Sequence, residues 1–267
     1  MSGIALGIDV GGSGIKGAPV DLRTGELSAE RLRIDTPQPS TPDAVAEVVA
    51  TLVEHFADLL GDGAIGVTVP GVVTHGVVRT AANIDQAWIG TDADALFTGR
   101  LGRAVHVVND ADAAGVAEAR FGAARSTKGL VIVVTLGTGI GTALLLDGKL
   151  VPNSELGHLQ IDGCNAESRA AYSVRENENL SWADWAARLQ RYFGVLEDLL
   201  WPALIVVGGG VSKKADKFLP LLHLRAPIVA AALLNGAGIV GAAVLAAEEH
   251  APARARTDSV DAGTATA

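Results

Sequence analysis

Residues 6–27 read LGIDVGGSGIKGAPVDLRTGEL and set a group of glycines directly behind a short apolar run. The glycines have the G-x-G-x-x-G spacing of a dinucleotide-binding turn. Such a turn must open a helix, whereas the residues after Gly17 alternate like a second strand and reach a Thr-Gly turn. A Walker phosphate loop is excluded because Ile15 stands where a glycine should precede Lys16. The stretch therefore predicts a strand, a glycine turn and a second strand, followed by the Thr-Gly turn and a third strand.

Two later stretches repeat parts of this design. Residues 130–151, LVIVVTLGTGIGTALLLDGKLV, predict a second glycine hairpin, and residues 203–212, ALIVVGGGVS, predict a strand that runs into three glycines. Glycine lets the backbone approach a ligand closely, and successive N–H groups can line an anion-binding nest. One such turn is most simply a tight hairpin, but three at strand ends predict a phosphate cradle. The predicted phosphate- or nucleotide-binding residues are Gly11, Gly12, Ser13, Gly14, Lys16, Gly137, Thr138, Gly139, Gly208, Gly209 and Gly210.

The remaining sequence predicts alternating strands and helices. Apolar residues at helical spacing predict a helix that begins at Pro42 and is capped by Thr41. Residues 104–122, AVHVVNDADAAGVAEARFG, predict a strand, a short polar turn and a helix. Further helices are predicted over residues 182–200 and 237–249, and Ser181 with Asp184 resembles a capping box at the start of the first. Residues 251–267 contain almost no large apolar side chain, so we expect a disordered tail.

The composition indicates a globular protein without general affinity for polyanions. The chain has 267 residues, 49% of them hydrophobic, and a formal net charge of −9. This balance disfavours non-specific binding to nucleic acid or anionic membranes, so a polyanion would need a local basic group. Lys213, Lys214 and Lys217 form one such group, although alone they read as a solvated helical face. No segment resembles a membrane span or a signal peptide, and we expect a cytoplasmic protein.

A few polar residues are candidates for chemistry. Asp110 lies at a predicted strand end, where it could be a general base or a helix-capping residue, and the pattern alone leaves both roles open. Glu155 and His158 are three residues apart and can converge on one ligand. A metal pair would fit this spacing, but without further histidines or cysteines nearby we favour a hydrogen-bonding pair. Glu167 alone reads as a helix-start residue, and Asp112 reads as a first-turn residue that favours the helix dipole.

Several motifs together resemble one family. GIDVGGSGIKG resembles the first phosphate loop of the superfamily of sugar kinases, heat-shock ATPases and actin, TLGTGIG resembles the second, and IVVGGGVS resembles its nucleotide-side loop. Residues 134–158, VTLGTGIGTALLLDGKLVPNSELGH, look like the signature of the ROK family of sugar kinases and sugar-responsive repressors. Over residues 4–247 the chain is similar to the polyphosphate glucokinase branch, in the motifs PQPSTP, AANID with Trp88, NDADAAG, ELGHL, GGGVSKKADKFLP and AGIVGAA.

The resemblance implies an α/β fold of the two-domain, actin-like ATPase and RNase H-like type, with mixed sheets and a cleft between the domains. It implies a small domain over residues 1–108 and a large domain over residues 109–237. The helix at about 238–250 is expected to return to the small domain. Sugar should lie at the base of the cleft, with the phosphoryl donor along the glycine loops.

The resemblance also implies roles for individual residues. Asp110 would be the catalytic base, Lys16 would approach the transferred phosphate, and Asp9 would help to hold Mg²⁺ through water. The implied glucose-binding residues are Asn83, Asn109, Asp110, Glu155, His158 and Glu167. The implied polyphosphate path consists of Ser212, Lys213 and Lys214. No zinc is expected, because Cys164 is the only cysteine where many ROK proteins have a cysteine-rich motif. Trp88 could wall the sugar pocket or the donor groove, or only pack.

The implied activity is phosphoryl transfer from inorganic polyphosphate, and also ATP, to the 6-hydroxyl of glucose by a homodimer. An alternative is an ATP-dependent ROK kinase for another hexose or an N-acetylhexosamine. A sugar-sensing regulator is less expected, because the first strand begins at Ile4 and leaves no room before it for a helix-turn-helix. Neither a nucleic acid nor a membrane is an expected partner.

Overall fold

The computed structural model describes residues 3–250, which contain fourteen strands and eight α-helices. The strands are β1 (Ile4–Val10), β2 (Gly14–Asp21), β3 (Leu32–Asp35), β4 (Ile65–Val69), β5 (Val73–Thr74), β6 (Val77–Val78), β7 (Val105–Asn109), β8 (Leu130–Leu136), β9 (Ile140–Leu146), β10 (Lys149–Val151), β11 (Gln160–Ile161), β12 (Cys164–Asn165), β13 (Leu204–Gly208) and β14 (Ile228–Ala230). The helices are α1 (Pro42–His55), α2 (Ala57–Leu60), α3 (Ala93–Leu101), α4 (Asp110–Phe121), α5 (Glu167–Ala170), α6 (Tyr172–Asn177), α7 (Trp182–Leu200) and α8 (Ala237–Glu249). The predicted tail, residues 251–267, lies outside the described residues.

Two five-stranded mixed sheets share one topology. The first has the order β3-β2-β1-β4-β7, and the second has the order β10-β9-β8-β13-β14. In each, three strands pair antiparallel and two further strands are added in parallel. The predicted α/β fold with mixed sheets is confirmed, and the repeated glycine hairpins are β1-β2 and β8-β9. The carboxyl ends of parallel strands meet at one edge of a sheet, so β1 and β7 bring their terminal residues together.

The first sheet is covered on one face by α1 and α3. Thr41 caps α1 by accepting a hydrogen bond from the Ala44 N–H, and Pro42 occupies the first turn, as predicted. Such a cap stabilises a helix by about 1 kcal/mol. The helical pattern does not continue unbroken to Leu60, because Phe56 leaves helical geometry between α1 and α2.

The second sheet packs against α7, the longest helix of residues 3–250. Trp185, Leu189 and Phe193 of α7 are completely buried against the apolar side chains of β8 and β13. The Ser181 hydroxyl accepts a hydrogen bond from the Asp184 N–H and caps the helix at the predicted position. Trp201 adopts a left-handed conformation after the last turn and Pro202 follows it, so that the chain turns away into β13.

Helix α8 fixes the position of α4. It packs against β1, β4 and α4, and glycines allow the close approach. A Cβ atom at Gly7 would clash with the Ile239 carbonyl oxygen, and one at Gly241 would clash with the Ala113 carbonyl oxygen. Since α4 begins at Asp110, this packing holds that residue at the edge of the first sheet. The domain boundaries inferred from the sequence stay a prediction.

Two local predictions differ from the structure. The strand expected after the Thr-Gly turn is only an isolated bridge between Val20 and Leu27, because the chain then leaves the ladder and returns as β3. The short polar turn expected at Asn109 and Asp110 does not form, because β7 ends at Asn109 and α4 begins at Asp110. Among residues 3–250, every helix is too short or too polar to cross a membrane.

Candidate active site

Asp110 is the first residue of α4 and lies directly after β7. The Asn109 side chain caps the helix, since Oδ1 accepts a hydrogen bond of 3.0 Å from the Asp112 N–H. Its Nδ2 donates a bond of 3.0 Å to the Gly71 carbonyl oxygen. Both polar atoms of Asn109 thus hold backbone groups and fix the junction that carries Asp110. The predicted contact between Asn109 and a sugar stays a prediction.

Asp110 is electrostatically suited to accept a proton near neutral pH. Burial raises the pKa of its carboxyl group to about 7, and the nearby charges of Asp9 and Glu155 act in the same direction. A hydrogen bond of 2.9 Å from the Ala111 N–H partly opposes this pKa shift. A base with a pKa near the working pH combines a useful ionised fraction with a real driving force for proton transfer.

Glu155, His158 and Glu167 come together as the carboxylate–histidine cluster. His158 Nε2 lies 3.5 Å from Glu155 Oε2 and 4.0 Å from Glu167 Oε1. Burial raises the pKa of Glu155; the Glu167 charge adds to the rise, and His158 opposes it. Within residues 3–250, no group of three or more His, Cys, Asp or Glu side chains is arranged to hold a metal ion. The predicted hydrogen bonding of these side chains to a sugar stays a prediction.

The carboxylate–histidine cluster is continuous with the second glycine turn. Glu167 Oε2 accepts a hydrogen bond of 3.1 Å from the Ile140 N–H, at the start of β9. A Cβ atom at Gly139 would come within 2.5 Å of Glu167 Oε2, so a larger residue there would displace this carboxylate. Thr138 is held to α6, because the Ser173 hydroxyl donates to its carbonyl oxygen over 2.6 Å. One side chain, Glu167, thus connects the cluster to a predicted phosphate turn.

The first glycine turn joins β1 to β2 and lies beside Asn83. A Cβ atom at Gly12 would come within 2.9 Å of the Asn83 carbonyl oxygen, and Asn83 adopts a left-handed conformation with φ of 61°. Asp9 and Lys16 are paired across β1 and β2, so their side chains project from the same face of the sheet. The Thr68 hydroxyl donates to Asp9 Oδ1 over 2.9 Å and orients that carboxylate.

The third glycine turn follows β13 and packs against the second glycine turn. Gly209 has φ of 80°, and a Cβ atom there would clash with the Leu136 backbone just before Gly137. Ser212 is buried, and its hydroxyl donates to the Gly209 carbonyl oxygen over 2.8 Å. Lys213 is exposed on the 3₁₀ segment Gly210–Lys217. Ser212 therefore braces the turn, and the lysines are the groups that face solvent.

The comparison with protein families assigns the chain to one of them. The ROK family profile matches residues 5–179, which include the first two glycine turns, Asp110 and the carboxylate–histidine cluster. The chain belongs to the ROK family. Its relatives include bacterial polyphosphate glucokinases.

Two of these relatives are mycobacterial. The chain is 53% identical to the polyphosphate glucokinase of Mycobacterium tuberculosis (strain CDC 1551 / Oshkosh) over 240 residues, covering 90% of this chain and 89% of that protein. It is 51% identical to the polyphosphate glucokinase of Mycobacterium leprae over 240 residues, covering 90% of this chain and 73% of that protein.

Two solved structures superpose on the fold. The inorganic polyphosphate/ATP-glucomannokinase from Arthrobacter sp. strain KM matches with a TM-score of 0.90 and 56% identity, covering 93% of this chain and all of that chain. A ROK glucokinase from Streptomyces griseus, solved with glucose and AMPPNP, matches with a TM-score of 0.79 and 26% identity, covering 92% of this chain and all of that chain. The actin-like fold expected from the glycine loops is thereby confirmed.

Sequence reasoning missed one cation of this ROK chain at the first glycine turn. Arg33 of β3 donates from Nη2 to the Ser13 carbonyl oxygen over 2.9 Å and from Nη1 to Asp35 over 2.6 Å. Its guanidinium lies over Gly14, where a Cβ atom would come within 2.6 Å of Nε. No signal within one segment identifies this contact, because Arg33 reaches the turn only through the pairing of β2 with β3, and β3 was not predicted.

A second missed feature of the ROK chain is the basic–aromatic platform, formed by Tyr172, Arg175, Trp182, Lys214 and Lys217. The Arg175 guanidinium lies 3.8 Å from the centre of the Trp182 ring, and Lys217 Nζ lies 5.7 Å from it. Lys214 Nζ lies 3.1 Å from the Tyr172 hydroxyl. The Ser173 N–H donates to the Gly137 carbonyl oxygen over 3.0 Å, which ties the platform to the second glycine turn.

Trp88 packs inside the ROK fold. Its side chain is completely buried beside Phe97, and its indole N–H donates to the Ser40 carbonyl oxygen over 2.9 Å. Of the three roles considered for Trp88, packing is the one that matches these contacts.

Proposed function

We propose that the protein is a kinase that transfers a phosphoryl group from inorganic polyphosphate, and also from ATP, to the 6-hydroxyl of glucose. One observation carries the proposal: Glu167 contacts both His158 and the second glycine turn. A sugar bound by the carboxylate–histidine cluster would therefore lie next to a phosphate bound by the turn. The high identity to polyphosphate glucokinases supports polyphosphate as the donor and glucose as the acceptor.

Asp110 is the proposed general base. A sugar hydroxyl is a poor nucleophile, so the reaction gains from a carboxylate that accepts its proton as the oxygen attacks phosphorus. The O6–P bond forms while the bond from that phosphorus to the bridging oxygen of the donor breaks. The leaving group is ADP or a polyphosphate shortened by one unit. The raised pKa of Asp110, about 7, suits this exchange of a proton.

The proposed glucose contacts come from the carboxylate–histidine cluster and from Asn83, Asn109 and Asp110. Carboxylates accept hydrogen bonds from sugar hydroxyls, and an imidazole can accept or donate one. Mannose is a plausible second acceptor, in view of the similarity to a glucomannokinase. The exposed position of Asn83 beside Gly12 suits a residue that meets the sugar and the donor together.

The glycine turns are the proposed phosphate cradle. Backbone N–H groups of the three turns would bind the donor phosphates, with Lys16 at the transferred group. Asp9 would hold Mg²⁺ through water beside those phosphates, because one or two carboxylates plus phosphate oxygens are the usual protein environment of this ion. When bound, Mg²⁺ neutralises the charge of the transferring phosphoryl group. The Asp9 carboxylate, oriented by Thr68 and facing Lys16 across the strand pair, fits this role.

The proposed polyphosphate path runs from the third glycine turn along the segment of Ser212, Lys213 and Lys214. Ser212 supports the turn through its own backbone bond, while the lysines supply charge. Arg33 is a further proposed contact at the first turn. A phosphate polymer needs successive cations, and an otherwise acidic chain with a local cationic route suits such a ligand.

The proposed arrangement has a small domain, residues 1–108 with the helix at about 238–250, and a large domain, residues 109–237, on either side of a cleft. Packing of α8 on β1 and β4 supports the first assignment. We also propose a cytoplasmic homodimer.

The test is formation of glucose 6-phosphate in the presence of Mg²⁺. Polyphosphate and ATP are supplied in parallel at matched phosphoryl concentration, and mannose replaces glucose in a second series. We expect product with both donors. Product with ATP alone would move the protein to the wider group of sugar kinases, and no product with either donor would overturn the proposal.

A further inference from the structure

Asn153 forms a hydrogen-bonded bridge between the two sheet-bearing halves of the chain. Its side-chain Oδ1 accepts a bond of 3.0 Å from the Val73 N–H, and its Nδ2 donates a bond of 2.8 Å to the Val73 carbonyl oxygen. The amide thus satisfies both backbone groups of Val73 in β5, as a neighbouring strand would. Asn153 itself follows β10 of the second sheet and has φ of 60°.

Asp112 connects the same backbone to the helix of the proposed base. Its Oδ2 accepts a hydrogen bond of 2.7 Å from the Asn153 N–H. Asp112 belongs to the first turn of α4, two residues after Asp110, and its own N–H is bound by the Asn109 side chain. The segment that precedes Glu155 is therefore tied to the turn of helix that begins with Asp110.

The chain on the other side of Glu155 is held as well. The Thr142 hydroxyl donates to the Ser154 carbonyl oxygen over 2.7 Å and accepts a hydrogen bond of 3.0 Å from the Leu156 N–H. Glu155 thus projects from a short backbone segment that is fixed at both ends. On the Asn153 side, the attachment passes through Asp112 to the helix of Asp110.

A purely structural role explains Asp112 poorly. Its side chain is 3% exposed, and burial raises its pKa to about 6. Within residues 3–250, its Oδ1 has no hydrogen-bond partner, although the residue borders a cavity of about 510 Å³. A buried carboxylate with an unsatisfied oxygen costs folding free energy. A position that accepts this cost next to a proposed catalytic group is a candidate for a functional role.

We infer that Asp112 and Asn153 are positioning residues that set the place of Glu155 relative to Asp110, and thereby the fit of the sugar. The inference rests on the proposed function. Neither residue touches the sugar; both act through the backbone that carries Glu155. Displacing that backbone would weaken glucose binding and misalign the acceptor hydroxyl, because reacting groups tolerate little displacement. The phosphate cradle is built from other segments, so donor binding is unaffected.

The test compares four variants by steady-state kinetics and by calorimetric titration with glucose alone. Asp112→Ala removes the acceptor, whereas Asp112→Asn keeps a carbonyl oxygen for the Asn153 N–H. Asn153→Gly removes the bridging amide at a position where φ favours glycine. Asn179→Gly is the matched control, since Asn179 has φ of 51° and is exposed in the loop before α7.

We expect Asp112→Ala and Asn153→Gly to raise both KM and Kd for glucose about tenfold, with KM for polyphosphate changed less than about twofold. Asp112→Asn should restore most of the glucose affinity, and Asn179→Gly should match the wild type. A purely structural role predicts a lower melting temperature with unchanged glucose Kd in the folded fraction, and that result would overturn the inference.

The inference and the proposed function fail in different ways. A wild type that phosphorylates glucose, with variants that keep normal glucose affinity, would overturn the positioning role alone. A wild type that binds no glucose would overturn both.

Discussion

The acceptor side and the donor side of the proposed active site differ in burial and in charge. The acceptor side, Asp110 with the carboxylate–histidine cluster, consists of partly buried groups whose pKa values are raised at Asp110 and Glu155 by burial. The donor side, Lys213 with Lys214 of the basic–aromatic platform, consists of exposed cations: Lys213 faces solvent, and Lys214 Nζ lies 5.6 Å from the centre of the Tyr172 ring.

The difference follows from what each side has to do. Proton transfer needs a carboxylate with a tuned pKa at a fixed position, and partial burial with backbone hydrogen bonds provides both. Binding a long polyanion needs many exchangeable contacts, which exposed cations supply at the cost of screening by salt. The acceptor side should therefore respond to mutation steeply and locally, and the donor side weakly and collectively.

The largest expected effect is that of Asp110→Asn. The amide keeps the size of the side chain but cannot accept the proton, so kcat should fall by about two to four orders of magnitude. Glucose affinity, measured by calorimetry, should stay close to that of the wild type. The fold should be retained, because the substitution removes a charge that Asp9 and Glu155 repel. Turnover near the wild-type value would remove Asp110 from its proposed role.

The pH profile is the next largest effect. Only ionised Asp110 can act as the base, and its pKa is raised to about 7. The value of kcat/KM for glucose should therefore fall about tenfold for each pH unit below about 7 and level off above it. The residual activity of Asp110→Asn should lack this acidic limb. A profile that stays flat down to pH 5 would show that the rate does not depend on a base with this pKa.

The smallest effect is expected on the donor side. Exposed charge pairs contribute about 0.2 to 1 kcal/mol each, so replacing Lys213 and Lys214 by glutamine should raise KM for polyphosphate about two- to thirtyfold. KM for ATP should rise less, and the loss should shrink at high salt because the wild-type contacts are then screened. Replacing the exposed Lys128 and Lys149 is the control with equal charge change. Equal effects on both donors would contradict a polymer-specific path.

Local sequence patterns predicted the structure correctly where one physical requirement dominates. A glycine turn after an apolar strand needs backbone freedom, and the hairpins β1-β2 and β8-β9 formed as expected. Helix caps at Thr41 and Ser181 were readable because the side chain bonds to a backbone N–H only a few residues away. Phe56 shows the limit: apolar spacing continues through it, but the helix does not.

Contacts between distant segments could not be read in this way. Arg33 reaches the first glycine turn only because β3 pairs with β2. The basic–aromatic platform forms because α6, α7 and the segment after β13 meet. No residue spacing within one of these segments predicts it. Asp112 read as a first-turn residue of a helix, yet its carboxylate binds a backbone N–H forty-one residues away.

The sequence by itself determined the glycine turns, the main strands and helices, and the residue types available for chemistry, because these depend on interactions within a few neighbouring residues. The resemblance to ROK proteins added the fold and the proposed roles. The tertiary structure alone decided which of these groups meet: that Glu167 joins His158 to the second turn, that Trp88 packs, and that Asp9 and Glu155 raise the pKa of Asp110. The physical reason is that burial and electrostatic fields are set by segments far apart in the chain, which only folding brings together.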